Sequence, residues 1–351
     1  MKSLRWIVVI ALCVAFAPPA FAACKIRQVG EIPVRVEGNR VLIDAQIDGH
    51  DAIVMVDTGA AMTFLWQNAA AQLGLPLEST TGTRMFGVGG EARVLGTVVK
   101  HFQMGSFFGD HMHLAVVGTR EGQHTLAAMV LGDDFFSHFS TEFDLAHGVI
   151  RLLLTDGCKT EQLPYWAKAY SLAELARLDP DHPRIETSVI VDTKSVTAIL
   201  DTGAFASIIA RQVAQNVGAA PGQDGTSAAR AVTGIAARPI ESSIGTFATF
   251  SIGDESMRNV QLRVADLFSA DTTQNLGSRL QRPLDNTPSM LIGCDFFLSH
   301  RILVVAKEHT MLFTYNGGPV FQLVKSVAAP KDDTNSIKED VPAQTTRAAN
   351  H

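Results

Sequence analysis

Two short segments of this chain could do chemistry together. Asp57-Thr58-Gly59-Ala60 follows the apolar run Ile53-Val54-Met55-Val56, and Asp201-Thr202-Gly203-Ala204 follows Thr197-Ala198-Ile199-Leu200. An apolar strand leading into an aspartate sets that carboxylate at the edge of a core, where a lone charge is costly. Two such carboxylates placed face to face lie about 3 Å apart and share one proton, because both cannot ionise easily. The pair can then polarise a water held between them. One carboxyl takes the water's proton while the other donates a hydrogen bond to the carbonyl under attack. No covalent intermediate is required, and the titration belongs to the pair rather than to either residue.

The neighbouring residue types suit that task. Gly59 and Gly203 let backbone N–H groups approach the carboxylates closely. The hydroxyls of Thr58 and Thr202 can brace the loop or reach across an interface. Downstream, each copy is answered by an apolar-apolar-Gly element: Met129-Val130-Leu131-Gly132-Asp133-Asp134-Phe135-Phe136, and Met290-Leu291-Ile292-Gly293-Cys294-Asp295-Phe296-Phe297. Gly132 and Gly293 would let the aspartate loops pack against a neighbouring strand. A single Asp-Thr-Gly is also an ordinary turn sequence; the repetition in matching contexts is what gives it weight.

The elements that must position these residues recur in the same order. The first unit spans residues 26–154 and the second 184–323, which reads as an internal duplication. In each, the motif is followed by a short helical segment, expected at 66–73 and 210–217. A glycine-containing turn comes next: Phe86-Gly87-Val88-Gly89-Gly90, then Val232-Thr233-Gly234-Ile235-Ala236. Alternating strands at 94–102 and 240–250 lead to the apolar-Gly element and a closing hairpin, at 143–154 and 301–315. Short alternating strands broken by Gly and Asp predict a mostly β fold with few helices. The second unit is longer between its motif and its apolar-Gly element, and the polar stretch 266–286 accounts for the excess. Between the units, 155–183 forms a linker in which 171–178 is expected to be a helix capped by Ser171.

With both motifs and their downstream partners in place, the chain resembles the retroviral-type (retropepsin-like) aspartic proteases, in a single-chain, two-lobed bacterial form. Asp-Thr-Gly-Ala is closer to the retroviral branch than the Asp-Thr-Gly-Ser of the pepsin branch. The resemblance implies two similar closed-barrel-like β lobes with the active site between them, and Asp57 and Asp201 as the catalytic pair. It implies that Thr58 and Thr202 hydrogen bond across to the opposite loop, supported by Gly59 and Gly203. It places substrate-covering flaps at Phe86, Gly87 and Val88 and at Thr233, Gly234 and Ile235. Neither flap copies the family pattern, since the first reads Gly-Val-Gly-Gly, the second Thr-Gly-Ile-Ala, and neither holds a tyrosine. The viral enzymes pair two single lobes; here one chain could complete the site, and pairing between two chains stays open.

The ends and the composition bound the setting. Lys2 and Arg5, the apolar stretch 6–17, Pro18-Pro19 and Ala20-Phe21-Ala22 have the form of a secretory signal peptide cleaved after Ala22. That points to a periplasmic or secreted protein. Cys24 offers a lipidated N-terminus as a competing reading, though Phe21 stands where such signals carry an aliphatic residue. The formal charge of -6 gives no footprint for nucleic acid. Beyond the signal, Cys24 and Cys158 could pair, and Cys294 sits in an apolar run as a small buried residue. His111-Met112-His113 has a strand's alternation, which would put two imidazoles on one face, but no third metal ligand is evident beyond Asp110. The expected chemistry uses no metal or organic cofactor. Asp134 and Asp295 are expected to cap the next helical turn. Residues 326–351 are polar and expected to be disordered. The leading reading is an aspartic endopeptidase acting on a peptide or protein. The alternative is a non-catalytic peptide-binding or envelope scaffold protein with the same fold.

Overall fold

A computed structural model describes residues 24–321, except 89, 119–125, 177–183, 220–225, 235–238, 268–272, 275–281 and 284–287. The stretch expected to be a signal peptide, the polar stretch 326–351, Gly89, Ile235 and most of 266–286 lie outside the described residues.

The alternating sequence folds as read, into three principal sheets. In the first lobe, Arg40–Ile47 and His50–Val56 form a hairpin that buries Val41, Ile43, Ala45, Ile47, Val54 and Val56 on one face, while the other face is exposed at Asp44, Gln46 and Asp51 and buried at Leu42. The eight-stranded sheet then runs through Met129–Leu131, Phe64–Trp66, Phe107–Val117, Gly90–Met104 and Glu78–Gly87. It closes on itself where Gln46 and Ile47 pair with Gln103 and Phe102. The second lobe repeats the plan with seven strands. Glu186–Val191 and Lys194–Leu200 form its hairpin, and Val189 to Val191 pair back with Phe250 to Ile252 to close it. Closure pairs the hairpin of each lobe back onto the sheet, leaving Glu78–Gly87 and Ser227–Val232 as edge strands.

The short helices, Gln67–Gln72 and Arg211–Asn216, follow the motif loops at the expected places. In each lobe the strand entering the aspartate runs parallel to the apolar strand before the glycine, with Val56 beside Leu131 and Leu200 beside Ile292. Non-local pairing therefore fixes where each aspartate leaves its strand.

The third sheet joins the lobes. Its order is Lys25–Pro33, Val149–Asp156, Ser140–Asp144, His300–Val305, Thr310–Tyr315 and Ser171–Glu174. The two closing hairpins meet at its centre, where Phe143 pairs with Ile302. Glu142, fully buried there, accepts from Arg151 Nη1 of the first unit at 2.5 Å and Arg301 Nη2 of the second at 2.9 Å. A buried carboxylate held by two guanidinium groups fixes the register between the units, since either arginine alone would leave part of its charge uncompensated.

One expectation is corrected. The helix expected over 171–178 is not present at its start: Ser171–Glu174 is a strand paired with Thr310–Tyr315, and Leu175 bridges to Thr187, while 177 and 178 lie outside the described residues. The Leu, Ala and Glu residues there favour a helix only weakly, and an unfilled sheet edge overrides that preference. At His111-Met112-His113 the strand keeps its register, with His113 opposite Val98, Met112 opposite Val99 and Asp110 opposite His101, although His111 takes φ 53°. His111 and His113 are exposed and Met112 is half-buried, as the alternation predicts. His101 Nδ1 lies 2.9 Å from Asp110.

Cys24 and Cys158 form a disulfide spanning 134 residues, which ties the first strand of the joining sheet to the linker. Cys294 is fully buried.

Candidate active site

The two Asp-Thr-Gly loops meet at the lobe interface. Thr58 Oγ1 donates to Leu200 O at 2.6 Å and accepts from Thr202 N–H at 3.1 Å. Thr202 Oγ1 donates to Val56 O at 3.0 Å and accepts from Thr58 N–H at 3.1 Å. Both threonines are fully buried. Each hydroxyl uses its donor and an acceptor on the opposite lobe, so the four bonds work as one reciprocal clamp. Thr202→Val keeps the shape but strands the buried Thr58 N–H and Val56 carbonyl. It is expected to cost about 2–3 kcal/mol of stability in urea unfolding. Thr58→Val in the same background should add less than it costs alone, because both act on one network.

The clamp presses the carboxyls together. Asp57 and Asp201 hydrogen bond through their side chains. Each packs onto the other loop's glycine: a methyl on Gly203 would stand 2.3 Å from Asp57 Cγ, and one on Gly59 would stand 2.5 Å from Asp201 Cγ. Only glycine permits that approach. Asp57 Oδ1 accepts from Gly59 N–H and Ala60 N–H at 3.0 Å each. Asp201 Oδ1 accepts from Gly203 N–H at 2.9 Å and Ala204 N–H at 3.0 Å. The donors hold one oxygen of each carboxyl and leave the other for chemistry. Burial pushes both acids above the ordinary carboxylate range, and the charge of Asp57 drives Asp201 up further. Asp57 is drawn back by its hydrogen bond with Asp201, the Ala60 and Gly59 N–H groups, and the positive charge of Arg40. Two carboxyls in contact cannot both ionise easily, so their titration belongs to the pair.

Gly132 and Gly293 support these loops from below, where an added methyl would meet the backbone of Met62 or Ala206 at 2.6 or 2.5 Å. They, rather than the following aspartates, occupy the N-cap positions of the short helices. Asp134 instead accepts from Thr63 N–H at 3.0 Å and Thr63 Oγ1 at 2.7 Å. Asp295 accepts from Ser207 N–H at 2.9 Å and Ser207 Oγ at 2.7 Å. These carboxylates hold the far end of each motif loop, and capping alone understates them.

The described tips of both candidate flaps come together. Gly87 and Gly90 close the first hairpin, and a methyl on Gly234 would stand 2.2 Å from Val88 O. Val88 crosses to pack on the second lobe's Ile199, Val232 and Leu291 cluster. Thr233 is exposed beside Gly234. The side chain of Phe86, like Ile235, lies outside what is described.

Sequence reasoning missed three residues at this interface. Asn39 Nδ2 donates across to Phe205 O at 2.9 Å. Arg40 stands over the Phe205 ring, 5.8 Å from its centroid, and Arg263 stands 5.0 Å from it. A signal existed for Arg40: an arginine precedes each aspartate by seventeen positions, Arg40 before Asp57 and Arg184 before Asp201. Among the described residues, no group of three or more His, Cys, Asp or Glu side chains could hold a metal.

Comparison with known families agrees with this duplication. Residues 43–138 match the family described as gag-polyprotein putative aspartyl protease, and residues 187–296 match a family described as aspartyl protease. The chain belongs to the retropepsin-like aspartyl proteases, with one family unit in each lobe. It is a two-lobed protein of mostly β structure, and its family supports a protease function in general terms. The crystal structure of an aspartic proteinase from Irpex lacteus aligns at 13% identity with a TM-score of 0.44, covering 82% of this chain and 97% of that one. No curated protein matches the sequence.

Proposed function

We propose that the chain is an endopeptidase in which Asp57 and Asp201 activate a water against a peptide bond. The observation that carries this reading is the reciprocal Thr58–Thr202 clamp, which brings two carboxyls into contact with two N–H donors on each. Asp57 takes a proton from the water as it attacks the carbonyl carbon. Asp201 gives its proton to the carbonyl oxygen. As the tetrahedral diol collapses, the proton on Asp57 passes to the leaving nitrogen, the C–N bond breaks, and Asp201 recovers its proton. The substrate lies extended between the lobes, under the Val88 and Gly234 tips, so that strand-like backbone pairing supplies its alignment. One chain holds both carboxyls, so one chain completes a site. No metal or organic cofactor enters these steps.

The apolar leader and the Cys24–Cys158 disulfide favour a periplasmic or secreted setting, where disulfides persist. The disulfide uses the sulfur that a lipid thioether would need. Among the described residues, no helix is long and apolar enough to cross a membrane. A scaffold role without catalysis has no observation in its favour, since both carboxyls and all four clamp bonds are intact.

The test is cleavage of an unbiased peptide library by the purified protein between about pH 3 and 8, the range in which such pairs titrate. Internal cuts in many peptides, giving a free carboxylate and a free amine, are expected. Removal of terminal residues alone would contradict endopeptidase action.

A further inference from the structure

Arg40, Arg263 and Phe205 form a cluster that the steps above do not use. Phe205 is the fourth residue after Asp201, and the charge of Arg40 reaches both Asp57 and Asp201. The half-buried Phe205 ring carries a guanidinium on each side of the interface. Arg40 comes from the first lobe at 5.8 Å, and Arg263 from the second at 5.0 Å. The backbone is locked in this position by the Asn39 bond to Phe205 O.

Neither cation is neutralised. Arg263 is 5% exposed, and its Nη1 donates to Arg230 O at 2.7 Å and Ser242 Oγ at 2.6 Å, both neutral acceptors. Its Nε is buried with no hydrogen-bond partner. Among the described residues, no carboxylate lies within ion-pair reach of Arg263 or Arg40; Asp295 acts on Arg263, and Asp57 and Asp201 on Arg40, only at longer range. A buried guanidinium is ordinarily paired, because burying an isolated charge is costly. One buried and one half-buried guanidinium on the same aromatic ring, with no carboxylate in ion-pair reach of either among the described residues, leave room for an anion. Arginine forks and an aromatic face together favour a planar carboxylate.

We propose that Arg40, Phe205 and Arg263 form a subsite for a carboxylate of the substrate, so that the protein prefers peptides carrying an acidic group close to the cleaved bond. This rests on the cleft being the peptide site. The carboxylate has two possible sources, an acidic side chain or the peptide's free C-terminus, and both meet the same guanidinium groups.

The experiment uses the full chain and paired peptides with Glu or Gln at each position flanking the cut, each made with an amidated and a free C-terminus. Glu over Gln at one position should raise kcat/KM about tenfold, the scale of a charge-assisted hydrogen bond, and the change should sit in KM. A gain confined to free C-termini would support the subsite and identify the chain end as its ligand. In Arg40→Gln the ratio should fall to near one, while Arg40→Lys, which keeps the charge, should retain part of it. Binding of the same peptides to Asp201→Asn, read by fluorescence anisotropy, gives the ratio without turnover. If no peptide is cut, the proteolytic reading fails while that binding ratio still decides the subsite. Equal handling of all paired peptides, binding of none of them, or an unchanged ratio in Arg40→Gln would overturn it.

Discussion

Asp57→Asn and Asp201→Asn should each lower kcat by about a thousand- to ten-thousandfold, the upper range for removing acid–base catalysis, while leaving the protein folded. The geometry explains both halves of that expectation. An asparagine Oδ1 can accept the same two N–H bonds that now hold each carboxylate. The clamp through Thr58 and Thr202 does not involve either carboxyl. What is lost is proton transfer: an amide at 57 cannot take the water's proton, and one at 201 cannot surrender its own. The double variant should be no worse than either single one by a comparable factor, since the pair acts as a unit. Paired kinetic and thermal-unfolding measurements check this. A large loss of Tm alongside the lost activity would mean that the carboxyls hold the fold rather than the chemistry.

Asp133→Asn should stabilise the protein at pH 8 by on the order of 3–4 kcal/mol and flatten its stability between pH 4 and 7. Asp133 is 1% exposed, and neither of its carboxyl oxygens has a hydrogen-bond partner. Burial, with a smaller push from Asp134, raises its pKa to about 7. The unfolded chain releases that proton near pH 4. The folded state therefore binds more protons than the unfolded state from about pH 4 to 7. Stability is full below that window and declines as pH rises through it. Asparagine cannot ionise, so the variant avoids the decline. The second lobe carries Cys294 at the corresponding position, fully buried and pushed up to about 12 by burial, which shows that the site accepts an uncharged side chain. Urea unfolding of both proteins across this range is the check. Parallel curves would mean that Asp133 finds a partner in solution.

Local features of this molecule were legible in its sequence. The Asp-Thr-Gly loops, the short helices behind them, the closing hairpins and the burial of Cys294 each follow from a run of a few residues and the geometry it permits. Features made by distant segments were not. Ser171–Glu174 is a strand because Thr310–Tyr315 offers it an edge, and nothing in Ser-Leu-Ala-Glu announces that partner. Phe205 reads as an ordinary apolar residue until two arginines, 165 residues behind it and 58 ahead, are folded onto its ring. Arg40 and Arg184 had a faint signature in their equal spacing from the two aspartates, which becomes meaningful only once the duplication is taken down to single positions.

The most direct measurement of the central claim is the pH profile of kcat/KM for one cleaved peptide, compared between the native chain and Asp57→Asn under identical conditions. A pair sharing one proton is active between its two macroscopic pKa values, so the native chain should give a bell-shaped curve. Asp57→Asn should fall about a thousand- to ten-thousandfold below the native curve at every pH, without its bell shape. A native profile with one limb only, or cleavage that survives in Asp57→Asn with its pH dependence intact, would contradict a shared-proton pair at Asp57 and Asp201.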